Sequence, residues 1–340
     1  MPGSLRDSLN YASKWTLRKA WNAGLVYASY HWSKATKNAK HWGQPISLSI
    51  EPTTSCNLRC PQCPSGLRSF TRPKGMLQGD LFQQLIDDQA ATLTYLTLYF
   101  QGEPFLNPDF LSMVKYASGK GIYTATSTNA HYLTDAVCDN IVQSGLDRLI
   151  ISIDGVDQEA YGKYRLGGKL DKVLDGTRAM MNAKKRAKGK GPFVIWQFIV
   201  FAHNEHQLPD IKRLAKEYGI DQLAIKTAQI YDFEEGSDLL PQQEKYSRYE
   251  MVAAGFRIKN KLLNHCWRMW QACVITWDGL VVPCCFDKDA THRMGDLKQT
   301  NFKDIWNSVP YQNFRNSVLK GRSNIDICRN CTEGTKVWEA

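Results

Sequence analysis

The chain has 340 residues, 43% of them hydrophobic, enough for the core of one large domain and a smaller one. Its net charge of +10 is spread over 43 Lys and Arg along the chain, and no nucleic-acid-binding module is recognisable, so no nucleic-acid partner is expected. No apolar run reaches the ~20 residues of a membrane-spanning helix, and the opening Met1-Pro2-Gly3-Ser4-Leu5-Arg6 has no secretory signal. A cytoplasmic chain is expected, and its ten Cys then read as metal ligands rather than as a disulfide framework.

Residues 1–43 form a basic amphipathic segment. Leu5, Leu9, Ala12, Leu17, Trp21, Leu25, Ala28 and Trp32 fall near helical spacing, with Lys14, Arg18, Lys19, Lys34 and Lys37 mostly off that stripe. The stripe is expected to pack on the main domain; the alternative is weak contact with a membrane surface, which would make the protein peripheral.

From 44 to 230, short apolar runs alternate with helical patterns. Strands are predicted at Ile46–Ile50, Tyr95–Phe100, Tyr123–Ser127, Arg148–Ile153, Phe193–Phe201 and Gln222–Ile225. Helices are predicted near 79–90, 108–119, 133–144, 170–187 and 205–218. Such alternation implies an α/β fold with a parallel sheet, which right-handed crossovers curl into an open barrel. Ligand sites in such folds lie at the C-terminal ends of the strands. The basic stretch 184–192, ending in Gly191-Pro192, lacks phosphate-loop spacing and reads as a solvated connection. Residues 231–340 are read as a linker and a small Cys-rich domain organised around metal.

Cys56-x3-Cys60-x2-Cys63 directly follows the first predicted strand. Three thiolates at this spacing can hold three irons of a cubane and leave the fourth open. A structural zinc ion would want a fourth protein ligand, and the nearest His, His41, lies before the strand. Further on, Cys266, Cys284, Cys328 and Cys331 offer four thiolates that could close a second cluster or a zinc site, with Cys285 as an alternative to Cys284. Trp277-Asp278-Gly279 reads as the turn of a hairpin carrying Cys284. Cys138 and Cys273 read as packing residues.

The triplet Cys56, Cys60, Cys63 resembles the cluster loop of the radical SAM superfamily, and the set from Cys266 to Cys331 resembles the SPASM extension found on many of its members. The resemblance covers about residues 45–331 and implies a partial (β/α)6 barrel with a C-terminal SPASM domain. It implies a [4Fe–4S] cluster that binds S-adenosyl-L-methionine, one auxiliary [4Fe–4S] cluster, and an external electron donor of flavodoxin or ferredoxin type. Reductive cleavage of S-adenosylmethionine would give a 5′-deoxyadenosyl radical that takes hydrogen from substrate, so an oxidoreductase-like enzyme is expected. A peptide or protein substrate is the first expectation; a small molecule such as a sugar or lipid precursor is the alternative, and a non-catalytic iron–sulfur or zinc protein the remaining one.

Gln101-Gly102-Glu103-Pro104 looks like the family's Gly-Gly-Glu-Pro segment, with Gln101 at the first Gly; Glu103 would accept hydrogen bonds from the methionine ammonium. By the same resemblance, Asn129, Ser152 and Asp154 would approach the cofactor, and Arg165 would pair with the methionine carboxylate. Gln62 stands where the family commonly has an aromatic residue beside the adenine.

Overall fold

The computed structural model describes residues 2–332, with the side chains of residues 2–4 left aside. Two helices come first, α1 (Pro2–Ser13) and α2 (Leu17–Thr36), in place of a single amphipathic segment. Thr16 caps α2 by accepting a bond from Lys19 N, and Lys37 ends it in the left-handed region at φ 57°.

Six parallel strands follow in chain order: β1 (Ser47–Ile50), β2 (Tyr95–Thr97), β3 (Tyr123–Thr128), β4 (Arg148–Ser152), β5 (Phe193–Val200) and β6 (Gln222–Thr227). Between them run α3 (Pro64–Leu67), α4 (Gly79–Gln89), α5 (Phe110–Gly119), α6 (Asp135–Ser144), α7 (Gln158–Tyr164), α8 (Leu170–Arg186) and α9 (Leu208–Glu217). This is the expected α/β architecture, and the predicted elements match in order and nearly in extent. The short helix α7 was not predicted; Asp157 caps it at Ala160 N. Phe82 and Ile86 of α4, Met113 and Val114 of α5, Ile141 of α6, Val173 and Met180 of α8 and Ile211 of α9 form one buried core with Leu48, Leu96, Leu149, Val194 and Trp196 of the strands. Cys138 is fully buried in that core, as a small apolar side chain.

After β6 comes a hairpin of β7 (Tyr249–Val252) and β8 (Gly255–Ile258), then α10 (Arg268–Gln271), β9 (Ala272–Ile275), β10 (Leu280–Val282), β11 (Gly295–Asp296), α11 (Phe302–Trp306), α12 (Val309–Gly321) and α13 (Asp326–Arg329). Strands β9 and β10 are antiparallel across the predicted turn, where Gly279 takes φ +91°. Unforeseen from the local residue pattern, β9 also pairs in parallel with β1, Ser47 opposite Ala272 and Ile50 opposite Ile275. The Cys-rich extension thus continues the barrel sheet, in the order β11-β10-β9-β1-β2-β3-β4-β5-β6. Cys273 sits inside this junction, buried on β9.

The N-terminal helices bind both parts. Helix α1 crosses the N-terminal ends of the strands: Asp7 bonds Tyr123 and Arg148, Asn10 Nδ2 donates to Asp147 at 2.8 Å, and Tyr11 meets Thr94 at 3.0 Å. From α2, Val26 and Tyr30 pack with Met269, Trp270, Val318 and Leu319 of the extension. No described helix is long and apolar enough to cross a membrane.

Candidate active site

The C-terminal ends of the strands converge on a cavity of about 200 Å³. Its wall includes Cys56, Cys60 and Cys63 from the loop after β1, Gly102 and Glu103 after β2, Asn129 after β3, Ser152 at the end of β4, and Arg165 after α7. Of the other residues named from the sequence, Gln101 and Asp154 lie just behind this wall. Gln101 Oε1 accepts from Ser65 Oγ at 3.3 Å and faces Cys63 Sγ at 3.9 Å. A larger cavity, about 400 Å³, lies at the opposite end of the sheet against α1. There Lys14 pairs with Asp147 at 3.3 Å and Lys184 with Asp221, and none of the cysteines lines it.

The loop carrying the thiols is pinned from several sides. Gly66 packs so closely on Cys60 that a Cβ there would collide with the Cys60 backbone. Gly102, at φ +74°, lets the backbone pass against the carbonyls of Thr53 and Ser55, and its N–H donates to Ser65 Oγ at 2.9 Å. Cys56 Sγ accepts from Leu58 N at 3.4 Å. Burial pushes the Cys56 thiol up to about 12 and raises that of Cys60, where the Arg165 guanidinium opposes the shift. Thiols held neutral by burial ionise when a cation arrives to share the charge, so this set fits a metal cluster. None of the ten cysteines is in a disulfide. Among the described residues no three His, Cys, Asp or Glu side chains converge on a single-ion site, so the grouping of these thiols rests on their shared cavity.

Glu103 is buried, and its carboxylate is already engaged. Oε1 accepts from Thr128 Oγ1 at 2.7 Å and Oε2 from Asn129 N at 2.8 Å. Burial raises its pKa to about 7 against those hydrogen bonds. Asn129 Nδ2 donates to Asn57 Oδ1 at 2.8 Å, tying the end of β3 to the thiol loop. Asp154 has no exposure; Oδ1 accepts from Ile199 N at 2.7 Å and Oδ2 from Arg165 Nε at 2.6 Å. Arg165 is thereby held with Nη1 at 3.9 Å from Cys60 Sγ. Gln197 of β5 and Lys226 of β6 are not on the wall of the cavity. His41, the histidine nearest the triplet in sequence, is far from it in function: it bonds Trp270 O at 2.8 Å and stays neutral, with burial lowering its pKa to about 3.

Sequence reasoning missed Tyr231 and Lys288. Tyr231 N donates to Gln62 Oε1 at 3.0 Å, which gives Gln62 a role: it anchors the loop after β6 beside the third cysteine. Lys288, from the loop after β10, donates to the Tyr231 phenol and lies over its ring at 4.8 Å from the centroid. It is partly buried, and no carboxylate is paired with it among the described residues. Burial lowers its pKa, while Cys63 and Cys285 act the other way. The same loop is fixed to the barrel by Arg72, which donates to Lys288 O at 2.9 Å and pairs through both terminal nitrogens with the buried Glu51, at 2.8 and 2.6 Å. Neither residue has any sequence signature, and neither is on the cavity wall; the fold brings both near Cys63 behind it.

In the extension, Cys266 and Cys284 pack on one cluster with Met269, Trp270 and Ile325. Cys328 and Cys331 flank the next turn, with Cys331 N bonded to Cys328 O at 3.1 Å. Arg322 Nη2 donates to Cys331 Sγ at 3.2 Å, and the charges of Cys266, Cys331 and Cys328 all act on this guanidinium. Cys285 packs with Phe100 and Val274 while its side chain stays hydrogen-bonded to that of Cys284. Cys284 shares its apolar cluster with Cys266, and Cys285, bonded to it, reaches toward the barrel side.

Comparison with known proteins agrees with this arrangement. The model of the Radical SAM superfamily matches residues 50–215, and that of SPASM, an iron–sulfur cluster-binding domain, matches residues 266–332. The chain is 26% identical over 300 residues to the tungsten-containing aldehyde ferredoxin oxidoreductase cofactor-modifying protein of Pyrococcus furiosus, covering 79% of this chain and 82% of that one. Its fold is similar to that of Streptococcus suis SuiB bound to S-adenosylmethionine, with a TM-score of 0.64 at 12% identity over 92% of this chain and 77% of that one. SuiB bound to the precursor peptide SuiA gives 0.62 at 13% identity, over 90% and 74%. BtrN in complex with AdoMet and 2-DOIA gives 0.54 at 16% identity, over 86% and 94%.

Proposed function

The chain belongs to the radical SAM superfamily and carries a SPASM domain, and from that premise we propose that it modifies a peptide or protein by a radical mechanism at the cavity bounded by Cys56, Cys60 and Cys63. The enzyme class and its cofactors, a [4Fe–4S] cluster with S-adenosylmethionine and an iron–sulfur extension, come with the family. In that family the reduced cluster cleaves S-adenosylmethionine to methionine and a 5′-deoxyadenosyl radical, and the radical takes a hydrogen atom from substrate. An external reductant supplies the electron; we assign it to the flavodoxin or ferredoxin type.

The observation that carries the reading is the cavity itself. Three thiols, one forced glycine and a buried carboxylate from successive strand ends share a single wall. Cys56, Cys60 and Cys63 would hold the cluster and leave one position open to the cofactor. Gly102 would let the cofactor lie against the backbone. Glu103, fixed by Thr128 and Asn129, would present its remaining lone pairs to the methionine ammonium. Arg165, oriented by Asp154, would face the methionine carboxylate. Ser152 sits at the rim, where a hydroxyl can meet the ribose. Cys266, Cys284, Cys328 and Cys331 would hold one auxiliary [4Fe–4S] cluster, with Arg322 stabilising the thiolates.

A peptide substrate is supported by the fold shared with SuiB, whose structure holds a precursor peptide. The second reading is a small molecule, favoured by BtrN, which holds 2-DOIA, and by the cofactor-modifying relative. Anaerobic turnover with deuterated candidate peptides tests the proposal. Label should enter 5′-deoxyadenosine; label from small molecules alone would select the second reading. No 5′-deoxyadenosine from the reduced, reconstituted protein would defeat both.

A further inference from the structure

Helix α2 is turned inside out. Its packed face consists of Lys19, Asn22, Val26, Ser29, Tyr30 and Ser33, polar except for Val26 and Tyr30. The polar groups are satisfied: Asn22 spans Gln44 with bonds at 2.9 and 2.7 Å, and Ser33 Oγ donates to Ser29 O at 2.6 Å. Lys19 Nζ donates to Gly121 O at 2.7 Å. The opposite face, which a surface helix ordinarily gives to charged residues, carries Leu17, Trp21, Ala28, Trp32 and Ala35 at spacings of three, four and seven residues. Leu17 is 93% exposed, Trp21 73% and Trp32 54%. The apolar stripe expected to pack on the main domain therefore points into solvent. Helix α1 repeats the arrangement, with Leu5 and Leu9 more than half exposed and Asp7 and Asn10 bonded to the sheet ends. Trp42 joins the patch, its ring centroid 6.4 Å from that of Trp32.

Single exposed apolar residues are ordinary, but an aligned row of them on one helix is not. The charge around it selects the partner. Residues 1–43 contain seven Lys and Arg against one acid, Asp7, and Asp7 is buried and paired. No Asp or Glu occurs between Asp7 and Glu51. Arg18, Lys34, Lys37 and Lys40 are exposed. A row of Leu and Trp flanked only by cations is the composition of a helix lying in a lipid interface. Trp favours the headgroup level, and long basic side chains reach the anionic surface from beside a buried stripe.

We propose that the outer face of α2, with the neighbouring end of α1, docks this enzyme on an anionic lipid bilayer without spanning it. The barrel and extension pack on the other face of these helices, so docking leaves the cofactor cavity unobstructed by them. The inference stands apart from the choice of substrate.

The test is co-sedimentation of the full-length, reconstituted protein with vesicles of phosphatidylcholine alone and of equimolar phosphatidylcholine and phosphatidylglycerol. The protein should pellet with the anionic vesicles and much less with the neutral ones, and added salt should weaken the binding. Leu17→Ser with Trp21→Ser and Trp32→Ser should lower vesicle affinity at least ~10-fold, while iron content and S-adenosylmethionine cleavage stay at the parent level. Arg18→Gln with Lys34→Gln should reduce the preference for anionic vesicles. Failure to pellet with either vesicle overturns the proposal, as does a triple variant that binds like the parent. A parent that dimerises without binding lipid, and a triple variant that is monomeric, would give the face to a second copy of the chain instead.

Discussion

Arg165 Nε donates to Asp154 Oδ2 at 2.6 Å, with the carboxylate fully buried behind the cavity wall. The pair explains how one residue on the loop after α7 can hold a cation beside Cys60. Asp154→Asn keeps an acceptor for Ile199 N but cannot balance the guanidinium. It should cost about 3 kcal/mol, the scale of stranding one member of a buried pair, measured by chemical denaturation under anaerobic conditions. S-adenosylmethionine affinity should fall as well, because Arg165 loses its fixed orientation. Unchanged affinity in a folded variant would remove Arg165 from the cofactor contacts.

Glu103 makes stability fall as pH rises. Its pKa in the folded chain is raised to about 7, mainly by burial, from an ordinary 4.5. Between those values the unfolded chain releases a proton that the folded chain retains, so folding stability declines across that window and levels off above it. The full effect is on the order of 3 kcal/mol. Denaturation at pH 5 and pH 8 should show this slope in the parent and a flatter one in Glu103→Gln. Equal slopes would place the Glu103 pKa near that of an exposed carboxylate.

The two cysteine sets should separate in function. Reconstituted protein should hold about eight irons, and replacing Cys56, Cys60 and Cys63 together with Ala should leave about four. Cys60→Ala should abolish formation of 5′-deoxyadenosine. Cys328→Ala with Cys331→Ala should retain some cofactor cleavage without substrate and lose far more substrate turnover. Normal turnover by that double variant would make the extension a structural staple. Tight zinc with almost no iron would refute the two-cluster assignment.

Lys288 offers a charge that no carboxylate among the described residues balances, at the border of barrel and extension. Lys288→Met should leave substrate-free cofactor cleavage close to the parent rate. Its KM for substrate should rise at least ~10-fold, the cost of losing one charge-assisted hydrogen bond. An unchanged KM would confine Lys288 to holding the Tyr231 loop.

The barrel strands were legible because each is a short run of apolar and β-branched residues bounded by turn signals, and the thiols because ligands close in sequence are close in space. What was not legible depends on distant pairing. Nothing local in Ala272–Ile275 says that it will lie against β1. Helical spacing showed that Leu17, Trp21, Ala28 and Trp32 share a face but not which way the face points. Direction came from Asn22, Ser29 and Ser33, polar residues that find partners inside. Tyr231 and Lys288 meet only after both of their loops have folded.

The parallel pairing of β9 with β1 also bears on how the chain is made. A ribosome delivers β1 early, and its natural neighbour on one side emerges more than two hundred residues later. Until then the newborn barrel has an open strand edge, the kind of surface that recruits wrong partners. Truncating the chain before Ala272 should therefore yield aggregation-prone protein rather than an isolated barrel, and expression should depend on chaperones more than barrel size alone suggests.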